Sequence, residues 1–157
     1  MYYDTGVTRG NRRRKRNDID ERKIMSKDFR DVSGKVALIT GAARGLGSGM
    51  ARAIAAEGVN VVICDISPEV LDTWKSIAAE YPENQGLAVV ADVTKESDIK
   101  RVFDLTIEKF GRVDIVCNNA GIHGGEVEVS DVEEALVDRV FKVNFKGVLF
   151  GCKYAAK

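Results

Sequence analysis

The 157 residues suffice for one domain with a buried core, and a mix of 45% apolar and 31% charged side chains is that of an ordinary globular protein. Lys plus Arg and Asp plus Glu both total 24, so net charge excludes a strongly basic or acidic protein and names no partner. No apolar run approaches the roughly 18 residues that read as a membrane span. No signal-type apolar stretch follows the basic amino-terminal residues either, so a cytoplasmic protein with no membrane partner is expected.

Residues 1–25 carry eight basic and four acidic side chains, and their centre is Arg12-Arg13-Arg14-Lys15-Arg16. Such a run suits nucleic acid or a nuclear address. Without helical or strand periodicity it reads here as a solvated, disordered tail over 1–31, with nucleic acid an unfavoured partner. Met25-Ser26-Lys27 reads as an alternative start. A single domain is expected over 32–157.

Within it, short apolar runs alternate with helical stripes. Val36 to Ile39 reads as a strand buried on both faces. Leu46, Met50, Ala53 and Ile54 fall at helical spacing, and Gly58 closes that helix. Val59 to Cys64 is a second strand. Ser67 and Pro68 then offer a cap and a first-turn proline to a helix with Val70, Leu71, Trp74, Ile77 and Ala78 on one face. Gly86 to Ala91 is a third strand. Thr94 is placed to cap a helix with the stripe Ile99, Val102, Phe103, Thr106, Ile107, Phe110, ended by Gly111. Val113 to Cys117 is a fourth strand. Beyond a loop with Gly121, Gly124 and Gly125, Ser130 and Glu133 have capping-box spacing for a long helix through Leu136, Val140 and Leu149. Alternating strands and helices predict an α/β fold of Rossmann type, a doubly wound parallel sheet.

The three cysteines, Cys64, Cys117 and Cys152, are widely spaced and share no metal-ligand spacing with the lone His123. They read as reduced, structural thiols, and no metal site is expected.

The first strand runs into Thr40-Gly41-Ala42-Ala43-Arg44-Gly45-Leu46-Gly47. Glycines here let the backbone turn sharply and approach a pyrophosphate, and the following helix N-terminus offers free N–H groups to it. Asp65 ends the second strand eighteen positions after Gly47, near the distance at which a ribose-binding acid is found. A carboxylate there accepts from ribose hydroxyls and repels a 2′-phosphate, which favours NAD. Arg44 could pair with a 2′-phosphate and keeps NADP open.

The spacing Thr-Gly-x-x-x-Gly-x-Gly resembles the cofactor motif of the classical short-chain dehydrogenases/reductases. Three further segments resemble that family in order: Asp92-Val93, Asn118-Asn119-Ala120-Gly121, and Asn144-Phe145-Lys146-Gly147. The resemblance covers about residues 32–157. It implies an oxidoreductase that interconverts an alcohol and a ketone by hydride transfer with a nicotinamide cofactor. It implies that Gly41, Arg44, Gly45, Leu46 and Gly47 form the phosphate turn, that Asp65 holds the adenosine ribose, and that Asp92 and Val93 flank adenine. Asn119, Ala120 and Gly121 would line the cofactor cleft, Asn118 would tie the central strands together, and Asn144 would be the active-site asparagine. It also implies the strand order 3-2-1-4 within a larger sheet.

The family's catalytic serine and Tyr-x-x-x-Lys pair are not among these residues. In the family both follow the asparagine by more than the thirteen residues that remain here. Tyr154-Ala155-Ala156-Lys157 has its Tyr and Lys three apart, not four, so Tyr154 reads as a packing residue and Lys157 as a solvated end. His123 reads as an ordinary loop residue. Catalysis by these residues alone is therefore expected to be absent or very slow, and a non-catalytic NAD-binding fragment or truncated product is the alternative. The fourth strand would become a sheet edge, apolar on both faces and prone to pairing, so marginal stability is expected. A homo-oligomer is expected only of a full-length form.

Overall fold

The computed structural model describes residues 31–157. The basic run at 12–16 and the proposed alternative start at Met25 lie outside the described residues. Four parallel strands form one sheet in the order β3-β2-β1-β4. They are β1 (Val36–Thr40), β2 (Asn60–Asp65), β3 (Gly86–Val90) and β4 (Ile115–Cys117). Each crossover carries a helix: α1 (Gly45–Ala56), α2 (Val70–Glu80) and α3 (Glu96–Phe110). After β4 come a 3-10 turn (Val129–Asp131) and one long helical run. That run is α4 (Glu134–Phe141), a π-helical segment (Lys142–Gly147) and α5 (Val148–Ala155).

Every residue of β1 is buried, because each face meets a helical layer. On one face Ala37, Ile39, Val61 and Ile63 pack with Ala51, Ala55, Val70 and Ile77 from α1 and α2. On the other, Leu38, Val62 and Cys64 pack with Ile99, Val102 and Phe103 from α3. Burying such side chains contributes about 1.5–3 kcal/mol each, so these two layers hold the sheet.

Several expected ends shift. Leu46, expected on the packing stripe of α1, is 75% exposed, and the buried face of that helix is Gly47, Ala51 and Ala55. Glycine and alanine let the helix approach the sheet closely, so the small residues take the face that the larger Leu46 cannot. Thr94 does not cap α3. Its Oγ1 donates to Asp92 Oδ1 at 2.7 Å, and α3 starts two residues later at Glu96. Ser130 lies inside the 3-10 turn, and Glu133 flanks α4 without any side-chain cap, so the expected capping box does not form. Ser67 does accept the Glu69 N–H on Oγ at 3.3 Å, one turn ahead of α2. Gly111 closes α3 in the left-handed conformation, φ +71°.

Candidate functional site

A cleft of about 530 Å³ is lined by Gly41, Arg44, Asp65, Asp92, Asn119 and Ala120, among others. It lies outside the carboxyl ends of the strands, where open α/β sheets bind ligands. The loop after β1 and the loop after β4 are bolted together there. Asn119 Nδ2 donates to the carbonyls of Thr40 (2.9 Å) and Gly41 (3.1 Å). Thr40 Oγ1 accepts from the N–H groups of Asn119 (3.1 Å) and Ala120 (3.0 Å). The junction leaves no space: a Cβ on Gly41, already at φ +67°, would lie 2.7 Å from Ala120 Cα. A Cβ on Gly47 would lie 2.1 Å from the Gly41 carbonyl oxygen. Glycine is required at both positions by contact, and at Gly41 by conformation as well.

Arg44 sits in the N-cap position of α1 with an extended backbone, and no side chain caps that helix. The first N–H groups of a helix have no partner within it, and they carry a partial positive charge. Across from them, Asp65 Oδ2 accepts the Ala43 N–H at 3.0 Å and Oδ1 accepts the Ser67 N–H at 2.9 Å. A carboxylate has about four acceptor positions, so Asp65 is held in place with acceptor capacity remaining on both oxygens. Asp92 is held by its own turn: Oδ1 accepts the Thr94 N–H at 2.9 Å, and the Asp92 N–H donates to Asp98 Oδ2 at 3.0 Å. Val93 is buried beside it and touches Gly147, where a Cβ would come within 3.0 Å.

Asn144 falls in the π-helical segment. Such segments are frequent at functional sites, because the extra residue re-aims a side chain without ending the helix. Its amide pairs both ways with one loop residue: Nδ2 donates to the Ile122 carbonyl at 2.8 Å, and Oδ1 accepts the Ile122 N–H at 2.9 Å. Ile122 lines the cleft. Asn144 lines a second, apolar hollow of about 470 Å³ with Leu136, Val140, Phe141 and Phe145. The Ile122–Asn144 pair is thus a wall between the two spaces.

The short chain dehydrogenase family model matches residues 35–157. The chain belongs to the short-chain dehydrogenase family. A mitochondrial borneol dehydrogenase of Lavandula x intermedia is 39% identical over 136 residues, covering 85% of this chain and 50% of that protein. Levodione reductase of Leifsonia aquatica is 37% identical, covering 78% of this chain and 46% of that protein. The crystal structure of a 3-ketoacyl-(acyl-carrier-protein) reductase from Brucella melitensis, complexed with NADH, superposes with a TM-score of 0.71 at 39% identity, covering 77% of this chain and 48% of that one. The chain spans about half the length of the curated relatives it matches. Short-chain dehydrogenases are oxidoreductases linked to NAD(P).

For this short-chain dehydrogenase, the expected residues divide into three groups. Gly41, Arg44, Asp65, Asp92, Val93, Asn119, Ala120 and Gly121 share the cleft wall. Gly45, Leu46 and Gly47 form the first turn of α1, next to Arg44. Asn144 faces the apolar hollow. The strand-tying role expected of Asn118 belongs instead to Asn119. Asn118 Nδ2 reaches only Cys152 Sγ, at 3.7 Å, and its Oδ1 is buried without a partner. Asn119 takes Thr40 because the chain turns just after β4, where the Asn119 N–H donates to the Cys117 carbonyl at 2.9 Å.

The cleft also holds Arg139 and Val143, which the sequence reading missed. They lie four apart on one helical face, a spacing that could have flagged them. Tyr154 is not an acid/base group in waiting. Its hydroxyl donates to Glu96 Oε1 at 2.9 Å, and that hydrogen bond, burial and the carboxylate charge all push its pKa up. Burial pushes the Cys64 thiol up to about 12, with the Asp65 charge adding to it, so this cysteine is an inert packing residue.

Proposed function

We propose that residues 32–157 are the cofactor-binding unit of an NAD-dependent oxidoreductase acting on a small alcohol or ketone. The observation that carries this reading is Asp65, fixed by two backbone N–H groups at the end of β2 with acceptor capacity left facing the cleft. That capacity suits the two hydroxyls of an adenosine ribose. Its negative charge disfavours a 2′-phosphate, which selects NAD over NADP. The fit is supported by the tight glycine turn, whose packing against Ala120 and Asn119 requires Gly41 and Gly47, and by the uncapped N-terminus of α1. When bound, the dinucleotide supplies the hydride acceptor or donor.

The chain's own residues do the holding. The N–H groups of Gly45, Leu46 and Gly47 face the phosphates, while Asp92, Val93 and Arg139 bound the adenine end. Asn119, Ala120 and Gly121 form the floor toward the nicotinamide. Asn144, braced on Ile122, steadies the cleft wall beside the cofactor.

Titrating the purified 157-residue chain with NADH and NADPH, read by energy transfer from Trp74, tests this. Tighter binding of NADH is expected, and Asp65→Ala should weaken NADH by about tenfold or more while sparing NADPH. Tighter binding of NADPH, or no binding of either, would sink the assignment.

A second reading rests on the residues present. Tyr154 and Lys157 are three apart, and the Tyr154 hydroxyl is committed to Glu96. General acid/base help contributes about 10²–10⁴-fold, so a chain of these residues alone binds NAD with little or no turnover. Measurable alcohol oxidation by the 157-residue chain would overturn that.

A further inference from the structure

A threonine inside a helix usually turns its hydroxyl back on the carbonyl four residues earlier. Thr106 does so, donating to the Val102 carbonyl at 2.7 Å. Thr73, in α2, does not. Its Oγ1 donates instead to the Ala43 carbonyl at 2.6 Å, thirty residues away in the glycine turn.

Ala43 is buried and is gripped from both sides. Its N–H is held by Asp65 Oδ2 at 3.0 Å, and its carbonyl by Thr73. A trans peptide points its C=O and N–H in opposite directions. With the Ala43 carbonyl turned toward α2, the N–H of Arg44 is therefore turned away from α2. Arg44 itself lines the cleft, as does Asp65. One buried residue thus couples the acid that faces the ribose to the basic residue beside it, and the Thr73 hydroxyl holds that residue in register.

We propose that Thr73 is a positioning residue for recognition of the adenosine ribose. It touches no cofactor, and acts by holding the Ala43–Arg44 peptide and, through the Ala43 N–H, the Asp65 carboxylate. The inference rests on the cofactor reading above and deepens it. Without the hydroxyl the Ala43 carbonyl loses its partner, and leaving a buried acceptor unpaired is costly enough to rotate the peptide. Arg44 and Asp65 then lose their fixed relation.

The test is equilibrium titration of the 157-residue chain with NADH and with NADPH, for the parent and four variants. Thr73→Val keeps the side-chain shape and removes the hydroxyl, and is expected to weaken NADH about tenfold with NADPH changed less than threefold. Thr73→Ser keeps the hydroxyl and is expected to bind NADH within threefold of the parent. Thr106→Val removes a comparable helical hydroxyl far from the cleft, and should leave both affinities unchanged whatever it does to the melting temperature. If circular dichroism shows that Thr73→Val is unfolded, Thr73→Ala replaces it in the comparison with Thr73→Ser. Equal NADH binding by the parent and the hydroxyl-less variant overturns the proposal, and so does an equal loss in Thr73→Ser. A parent that binds neither nucleotide overturns the cofactor reading itself, and the role of Thr73 with it.

Discussion

The two edges of the sheet are finished differently. On β3, residues alternate between facing β2 and facing outward, and the outward carbonyls at its two ends are occupied. Lys109 donates to the Gly86 carbonyl at 2.8 Å and Arg101 to the Val90 carbonyl at 2.8 Å, both from α3. Charged side chains laid along an edge block further strand pairing. Trp74 also packs onto that edge so tightly that a Cβ on Gly86 would lie 2.0 Å from its ring. On the β4 side all three strand residues are half-buried, and Asn118 holds a buried oxygen without a partner. The helical run beyond it leaves Val137, Phe141, Phe145 and Leu149 exposed at four-residue intervals, with the two phenylalanines stacked 4.7 Å apart. The β3 side has the carbonyls at both its ends paired and Trp74 packed against it, whereas the β4 side still presents both an unpaired acceptor and an apolar stripe. The cleft draws on both sides: Gly41, Asp65 and Asp92 come from the loops after β1, β2 and β3, and Asn119 to Ile122 from the loop after β4, where Ile122 pairs with Asn144.

The largest test of this contrast is large-to-small substitution. Ile63→Ala removes a fully buried side chain between β1 and β3, and should cost about 2–5 kcal/mol in denaturant unfolding. Phe145→Ala, at a residue 53% exposed, should cost well under half as much. Equal losses would mean that the β4 side is packed as firmly as the β3 side.

A smaller effect separates the cysteines. Cys64 is buried with its pKa pushed up to about 12, against an ordinary 9.0, whereas Cys152 is exposed. A thiol reagent should label Cys152 in the native protein and Cys64 only after unfolding. Because the folded pKa of Cys64 is raised, its contribution is intact below pH 9 and is lost as the pH climbs toward 12. Cys64→Ala should flatten that decline by about 1 kcal/mol per pH unit. Native labelling of Cys64 would show that the β2 core opens readily.

The smallest effect is on the β4 side. Hydrogen bonds from Lys153 and Tyr154 hold the Glu96 carboxyl below its ordinary 4.5 and tie α5 to the start of α3. A lowered folded pKa contributes stability above that ordinary value and loses it as the pH falls through the folded one. Protection of the amides in 148–155, taken relative to their intrinsic exchange rates, should therefore fall on acidification before protection in α3 does. A simultaneous fall would mean that α5 is anchored by packing rather than by Glu96.

Strand number, helix order and the site turn were legible in the sequence because each rests on a short-range signal. A buried strand is a short apolar run, and a helix is a stripe of period 3.6. The turn is a glycine pattern with an acid after the next strand. Those signals determined the order of elements and the placing of Gly41 to Gly47 beside Asp65, whereas the grouping of Asp92 with Asn119 to Gly121 came only from the family resemblance. What the sequence could not determine is which partner a polar side chain takes. Asn119 meets Thr40 across 79 positions, and Thr73 meets Ala43 across 30. Asn118 was misassigned because the choice between neighbouring asparagines depends on which side of the chain faces β1. Thr94 and Ser130 have the chemistry of helix caps, but one is taken by Asp92 and the other by a 3-10 turn. The π-helical turn under Asn144 has no period that a sequence displays. Hydrophobic periodicity is a property of adjacent residues and survives without the fold. Hydrogen bonds hold only within about 3 Å, and only the packed tertiary structure brings residues that far apart in the chain to that distance.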